Sequence, residues 1–280
     1  MITPAIDALI DLAIEEDLGR GDVTTEACLG TPRTAAKGVV LAKEAMTVFG
    51  LEVAARVFQR IDPALTLKGR VVDGAKVEAG TIVADVGGPV GPLLAAERPA
   101  LNFLQRLSGV ATQARRFVDA AKGTRAKIVD TRKTTPGWRA LEKAAVRAGG
   151  ASNHRFDLGS GILIKDNHIV AAGGVAHAVA RARTHAPHGL KVEVEVTTLQ
   201  ELDEALGAGA ELVLLDNMAP DVMREAIVRA HAKSALVEIS GGVRLENVAM
   251  LAALGADLLS SGALTHSAKA VDLSLDLVKS

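Results

Sequence analysis

Cysteine, tyrosine and net charge are nearly absent from this chain of 280 residues. The single Cys28 excludes an intrachain disulfide and a cysteine-based zinc site. A lone cysteine with no obvious partner reads as inert rather than nucleophilic. Aromatic residues make up 2%, with one tryptophan and no tyrosine, so the stacking platforms that grip single-stranded nucleic acid are missing. A formal net charge of −1 argues against general binding to nucleic acid or to anionic membranes. No apolar run reaches the ~20 residues of a spanning helix. The opening MITPAIDALIDLAIEEDLG is acidic and lacks the basic leader of a signal peptide. A cytoplasmic protein with no membrane and no nucleic acid among its partners is the expectation.

Hydrophobic residues make up 49%, enough for a sizeable core of Ala, Val, Leu and Ile, in one large domain or two modest ones. Residues 4–18 alternate apolar and acidic side chains at helical spacing, with Thr3 placed to cap them. GRGDVTTEA (19–27) reads as a loop. Residues 35–50 read as strand and turn, Leu51 to Ile61 as an amphipathic helix, and 65–88 as short strands between glycine turns. Glu44, Ala45 and Met46, with the hairpin-like VVDGAKVEAGTIVADVGG, are similar to a biotin-carrier loop. Carriers need a lysine after that methionine, and here Thr47 stands in its place.

From Pro92 a long helical stretch begins, which Pro99 is expected to break or kink. Six apolar segments then alternate with helical patterns: 126–130, 162–166, 191–196, 211–216, 236–240 and 257–261. The intervening helical patterns cover 138–148, 170–184, 198–208, 219–233 and 244–254. Buried strands alternating with helices predict a parallel sheet covered by helices, and their even spacing suits a barrel. No G-x-G-x-x-G follows the first strand, so a dinucleotide site is not expected.

Each of these strands ends in polar residues: Asp130 to Lys133, Lys165 to Asn167, Glu195, Asp216 with Asn217, Ser240 to Gly242, and Ser260 to Gly262. Barrel enzymes build their sites on that face. SGG and SSG are small enough for backbone N–H groups to approach phosphate oxygens. Between Lys122 and Lys165 there are ten Lys/Arg and three Asp/Glu, a cationic block suited to a small, highly charged anion. Alternation in VEVEV puts Glu193 and Glu195 on one face. Glu195 and Asp216, at neighbouring strand ends and facing a polyphosphate, suit a hard divalent cation, Mg²⁺; the plainer reading pairs them with Lys165 or Arg132. His154, beside Arg155 in a Gly/Ser/Asn loop, is read as a ligand contact, and Trp138 and Met218 as packing.

Together the segments EDLGRGDVTTE (16–26), ERPALNFLQRLSGVAT (97–112), DTRKTTPGWRALEKAAVRAGGASNHR (130–155), LIKDNHI (163–169), EVEV (193–196), LLDN (214–217), ISGG (239–242) and GALTHSA (262–268) resemble the decarboxylating quinolinate phosphoribosyltransferases. GASNHRFDLGSG departs slightly from the family's usual loop. The resemblance implies an α/β fold: an N-terminal α/β sandwich domain over 1–110, and an incomplete, seven-stranded α/β barrel over 111–280 whose last helix packs back on the first domain. It implies transfer of phosphoribosyl from phosphoribosyl pyrophosphate to quinolinate with Mg²⁺, giving nicotinate mononucleotide, pyrophosphate and CO₂. It further implies a homodimer, or a hexamer built from it, in which Arg98 reaches the partner's site. Arg132, His154, Arg155 and Lys165 would bind the quinolinate carboxylates, with Lys133 and Lys165 near the phosphates and Thr134 also among the substrate-binding residues. Glu195 and Asp216 would face the ribose hydroxyls and the metal. Ser240, Gly241 and Gly242, with Ser261, Gly262 and Ala263, would hold the 5′-phosphate. The catalytic set would be Lys133, Lys165, Glu195 and Asp216.

Three other readings compete. A molybdenum-transport relative of the same fold fits LIKDNHI and the Asn153–Arg155 triplet less well. A barrel aldolase would use Lys165 as a Schiff base, which needs a desolvated amine and leaves the arginines without a role. A non-enzymatic interaction module leaves the six polar strand ends unexplained.

Overall fold

The computed structural model describes residues 2–30 and 33–278. Two compact units emerge: Met1–Gln113 with Pro136–Gly150 and Ala268–Ser280, and Ala114–Thr135 with Ala151–Ser267. They are called unit 1 and unit 2 below.

Unit 1 begins with α1 (Pro4–Leu18), capped by Thr3, and α2 (Val23–Leu29). The second helix lies where the sequence reads as a loop. Its start is set by Asp22, whose carboxylate accepts the Thr25 N–H at 2.9 Å. Then come β1 (Ala35–Ala42), β2 (Met46–Thr47), α3 (Leu51–Ile61), β3 (Thr66–Gly69), β4 (Lys76–Val77), β5 (Ile82–Pro89) and α4 (Val90–Ala120). Arg56 and Arg60 of α3 grip Asp7 and Asp11 of α1 in bidentate pairs of 2.6–2.9 Å. Helix α4 runs through Pro99 without breaking. Trp138 stacks on Phe103 at 4.7 Å between ring centroids, a packing role as expected.

The later elements are β6 (Lys127–Val129), α5 (Arg139–Ala148), β7 (Ile162–Ile164), α6 (Asp166–Ala172), α7 (Val175–His185), β8 (Val192–Val196), α8 (Leu199–Gly207), β9 (Leu212–Asp216), α9 (Pro220–Ala232), β10 (Leu236–Ser240), α10 (Val248–Ala252), β11 (Leu258–Ser260) and β12 (Leu273–Leu277). The single helical pattern at 170–184 divides into α6 and α7 at Gly173–Gly174, whose φ of 82° and 129° end one helix before the next begins. What returns to unit 1 is the strand β12, where a last helix was expected. It pairs antiparallel with β1, giving the sheet order β12-β1-β5-β3. Leu273 and Leu275 of LSLDL are buried, the period-two face of an edge strand.

Unit 2 holds a six-stranded parallel sheet in the order β6-β11-β10-β9-β8-β7. A single parallel bridge sets Ser152 beside Val129 of β6, on that strand's free edge. Written as a cycle, the seven positions follow chain order, and the ring is open between Ser152 and β7. The α/β barrel is therefore incomplete, with its second strand reduced to one bridge. Its strands are lined by Val, Leu and Ile, nearly all buried.

Gly109 of α4 allows the return of the chain within unit 1. A Cβ there would collide with the Lys269 carbonyl oxygen and lie 3.1 Å from the Ala270 Cα. Gly207, at the end of α8, has nothing within 4 Å of the same position. Gly109→Ala should lower stability by about 3 kcal/mol through overpacking against backbone. Gly207→Ala should hold or raise it by up to about 1 kcal/mol through helix propensity. Urea unfolding of both variants reads the contrast, and equal effects would contradict this account of Gly109.

Candidate active site

Register brings the polar strand ends of unit 2 level with one another. Ser240 is paired with Asp216, Ser260 with Val129, and Ile164 with Val194. So Lys165 emerges beside Glu195, Ser240 beside Asp216, and Ser261 beside Asp130. Side chains that lie far apart in sequence share one rim because parallel strands all present their C-terminal ends there.

The cations of that rim are held by specific partners. Lys165 Nζ meets Glu195 Oε2 at 2.5 Å. Arg155 Nη1 donates to the Gly161 carbonyl at 3.0 Å. Burial lowers the Arg155 pKa below its ordinary value, and the charge of Arg132 lowers it further, against the opposite pull of Glu193. Asp130, fully buried, accepts from Asn153 Nδ2 at 2.7 Å and from the His154 N–H at 2.8 Å. That ties the loop after Ser152 to the end of β6.

His154 turns inward. Its Nε2 lies 3.2 Å from Glu193 Oε2 and 3.5 Å from Glu238 Oε2, while Nδ1 accepts the Arg155 N–H at 2.8 Å. Burial works to lower the His154 pKa, but the hydrogen bond to Glu193 and the charges of Glu238 and Glu193 outweigh it, and the net direction is up. Glu238, 1% exposed, has its pKa pushed up to about 7, first by burial and then by the charge of Glu193. His154, the Ser260 hydroxyl and Lys165 pull the other way.

The two glycine loops meet. Ser261 Oγ donates to the Val243 carbonyl at 2.7 Å, so it spans from the β11 loop to the β10 loop. It also accepts the Ala263 N–H at 3.3 Å. Gly241 and Gly242 have φ of 79° and 62°, which favours glycine at both. A side chain at Gly241 would strike the Asn217 carboxamide, whose Nδ2 donates to Asp216 Oδ2 at 3.0 Å. A Cβ on Gly262 would lie 3.2 Å from Lys133 Cδ and 2.8 Å from His266 Nε2, so a cation crosses the glycine at close range. Thr265 Oγ1 donates to the Lys133 carbonyl at 2.7 Å and holds that loop in place. The Thr134 N–H donates to the Arg132 carbonyl at 3.0 Å in the same turn.

All the expected site residues except Arg98 thus belong to unit 2; Arg98 is exposed on α4 of unit 1. The cationic block divides as well, since Arg139, Lys143 and Arg147 on α5 belong to unit 1. Sequence reasoning names Glu193 only as a neighbour of Glu195, Asn153 only within the Asn153–Arg155 triplet and His266 only within GALTHSA, and passes over Glu238. A signal for Glu238 exists: in LVEIS it stands alone among apolar residues, and period two puts it on the face of Ser240.

Comparison with known proteins places the whole chain in one family. The family model for the quinolinate phosphoribosyl transferase C-terminal domain matches residues 110–276, and that for the N-terminal domain matches 22–108. The nicotinate-nucleotide pyrophosphorylase (carboxylating) of Mycobacterium leprae is 44% identical, over 95% of this chain and 94% of its own. The human protein of that name is 46% identical over 73% of this chain and 70% of its own. The solved nicotinate-nucleotide pyrophosphorylase from Francisella tularensis superposes with a TM-score of 0.93 at 34% identity, covering 99% of this chain and 98% of that one. The chain belongs to the quinolinate phosphoribosyl transferase family.

Proposed function

We propose that the chain transfers the phosphoribosyl group of phosphoribosyl pyrophosphate to quinolinate with loss of one carboxylate, forming nicotinate mononucleotide, pyrophosphate and CO₂ in de novo NAD biosynthesis. Beside the family match, the observation that carries this reading is the meeting of the two glycine loops, joined by Ser261 and crossed by Lys133. Backbone N–H groups of Gly241, Gly242, Gly262 and Ala263, with Ser240, are suited to a 5′-phosphate. Arg132 and Arg155, whose charges sense each other, are suited to the two carboxylates of quinolinate, since a guanidinium binds a carboxylate bidentately.

The bond that breaks joins ribose C1 to the pyrophosphate. Charge builds up on the leaving group, and C1 takes on cationic character. Lys133 and Lys165 stabilise the first, Glu195 and Asp216 the second, by electrostatic preorganisation that needs no protein nucleophile. The ring nitrogen of quinolinate takes the C1 bond, and holding it over C1 is the entropic part of the rate. The quaternised ring then accepts the electron pair released as CO₂ departs. Glu195 and Asp216 offer hard oxygen donors at adjacent strand ends, both partly exposed, a set that fits Mg²⁺ bound together with the substrate's phosphates. When bound, that ion supplies positive charge to the departing pyrophosphate. Lys165 is held against the Glu195 carboxylate and is 45% exposed, a poor start for the desolvated amine that a Schiff-base aldolase needs.

Arg98, exposed on α4, fits a homodimer in which it completes the partner's site. Among the described residues no helix is long and apolar enough to cross a membrane, and we place the reaction in the cytoplasm with its soluble substrates.

Incubation with quinolinate, phosphoribosyl pyrophosphate and Mg²⁺ should release CO₂ and nicotinate mononucleotide, while nicotinate in place of quinolinate should give neither. Turnover of nicotinate alone would overturn the substrate assignment. Mixing inactive Arg98→Ala and Lys133→Ala subunits should restore part of the activity, up to roughly a quarter of the sites for random pairing. Verified heterodimers with no recovered activity would sink the role of Arg98 in trans.

A further inference from the structure

The reaction above leaves one buried group without a task. Glu238 stands at the middle of the parallel sheet, 1% exposed, and neither of its oxygens makes a well-formed hydrogen bond; the donors nearby are the Ser260 hydroxyl and His154 Nε2, the latter at 3.5 Å. Glu193 Oε1 is in the same state. The ligating atoms of Glu193, Glu238 and His154 all lie within 4.8 Å of one another. Two buried carboxylates that share one imidazole need either a cation or a proton.

The imidazole decides between them. Nδ1 accepts the Arg155 N–H, so the ring's own proton sits on Nε2, the nitrogen that faces both carboxylates. A metal on Nε2 would require a ring stripped of both protons. The space is built for protons. Nε2–H lies closer to Glu193, at 3.2 Å against 3.5 Å, and Glu238 is left with the weaker contact.

Resting on the substrate reading above, we propose that Glu238 takes up a proton when quinolinate binds, as a positioning residue that keeps His154, and through it the Arg155 backbone, in place beneath the dianion. Four groups face Glu238: Glu193 from β8, His154 from the loop after Ser152, Ser260 from β11 and Lys165 after β7. On β9 its partner in register is the apolar Leu214. In the empty site, Lys165 helps to hold Glu238 ionised. Quinolinate brings two negative charges to the cations of that rim and spends their field. The ionised carboxylate then has burial and Glu193 against it, and protonation follows. With the proton, Glu238 becomes an O–H donor toward the oxygens that lack one. The import also suits the chemistry. When the C2–carboxylate bond breaks, CO₂ leaves, the electron pair stays on C2, and C2 takes a proton.

Calorimetric titration of quinolinate into the full chain, without phosphoribosyl pyrophosphate, counts the protons when repeated in buffers of small and large ionisation enthalpy. A tenfold gain in proton affinity gives uptake of roughly 0.4 proton per ligand near pH 7, fading by about pH 5 and pH 9. Glu238→Gln, which keeps the shape, should bind quinolinate with that uptake abolished. It should also flatten the pH dependence of stability. A pKa raised from 4.5 to about 7 on folding contributes stability below the lower value that is lost as pH rises to the upper one. Binding heat that does not depend on buffer in the unaltered chain overturns the proposal whether or not the variant folds. Uptake that persists unchanged in Glu238→Gln overturns it too. No binding heat at all overturns the substrate assignment, and the proposal with it.

Discussion

Crowding of positive charge at one rim is the constraint on which unit 2 depends. Arg132, Lys133, Arg155 and Lys165 all occupy loops at the same ends of the strands, and two like charges ~5 Å apart repel by about 3 kcal/mol at an effective dielectric of ~20. An empty anion site must survive that repulsion. Carboxylates set among and beneath the cations offset it: Glu195 against Lys165, Glu193 near Arg155, and Asp130 on the backbone of the loop that carries His154.

These counter-charges differ in permanence, and burial sets the difference. The Lys165 side chain is 45% exposed, so its pair with Glu195 is of the kind that contributes little net stability and can be exchanged for a phosphate at small cost. Glu238 is 1% exposed and cannot trade its neighbours for water. It can only change its protonation. One layer of the site therefore answers a ligand by moving a side chain, and the layer below answers by moving a proton. Asp130 does neither. Its oxygens are spent on Asn153 and on a backbone N–H, which makes it a fixed tie.

Much of this was legible in the sequence, and the failures share a cause. The strands of unit 2, the strand-end residues and helix α3 followed from period and composition, because buried parallel strands and amphipathic helices leave strong repeating marks. Helix α2 did not, since it buries no residue and rests on one aspartate cap in a stretch that looks like a turn. The boundary between α6 and α7 was hidden because two consecutive glycines weigh little against an unbroken apolar rhythm. Strand β12 was missed because an edge strand is recognised by its partner, and β1 lies more than two hundred residues earlier. In the site, the polar residues at the strand ends could be read off, whereas Glu238 could not, because a single carboxylate in a strand acquires meaning only from what faces it across the sheet.

The gap in the barrel follows from the same bookkeeping of donors. Ala151–Ser152 begins as a strand: the Ser152 N–H donates to the Ile128 carbonyl at 2.8 Å, and the Asp130 N–H to the Ser152 carbonyl at 3.2 Å. A ladder continues only while backbone N–H groups are available to it. From His154 onward they are taken. The His154 N–H goes to Asp130, that of Arg155 to His154 Nδ1, and those of Phe156 and Asp157 to Ser160 Oγ. The second strand stops after one bridge because the four donors from His154 to Asp157 are spent on side chains, within the loop that carries His154 and Arg155. Closing the ring with a regular strand would free the loop from Asp130 and from the imidazole, and would release the two side chains that this loop exists to aim.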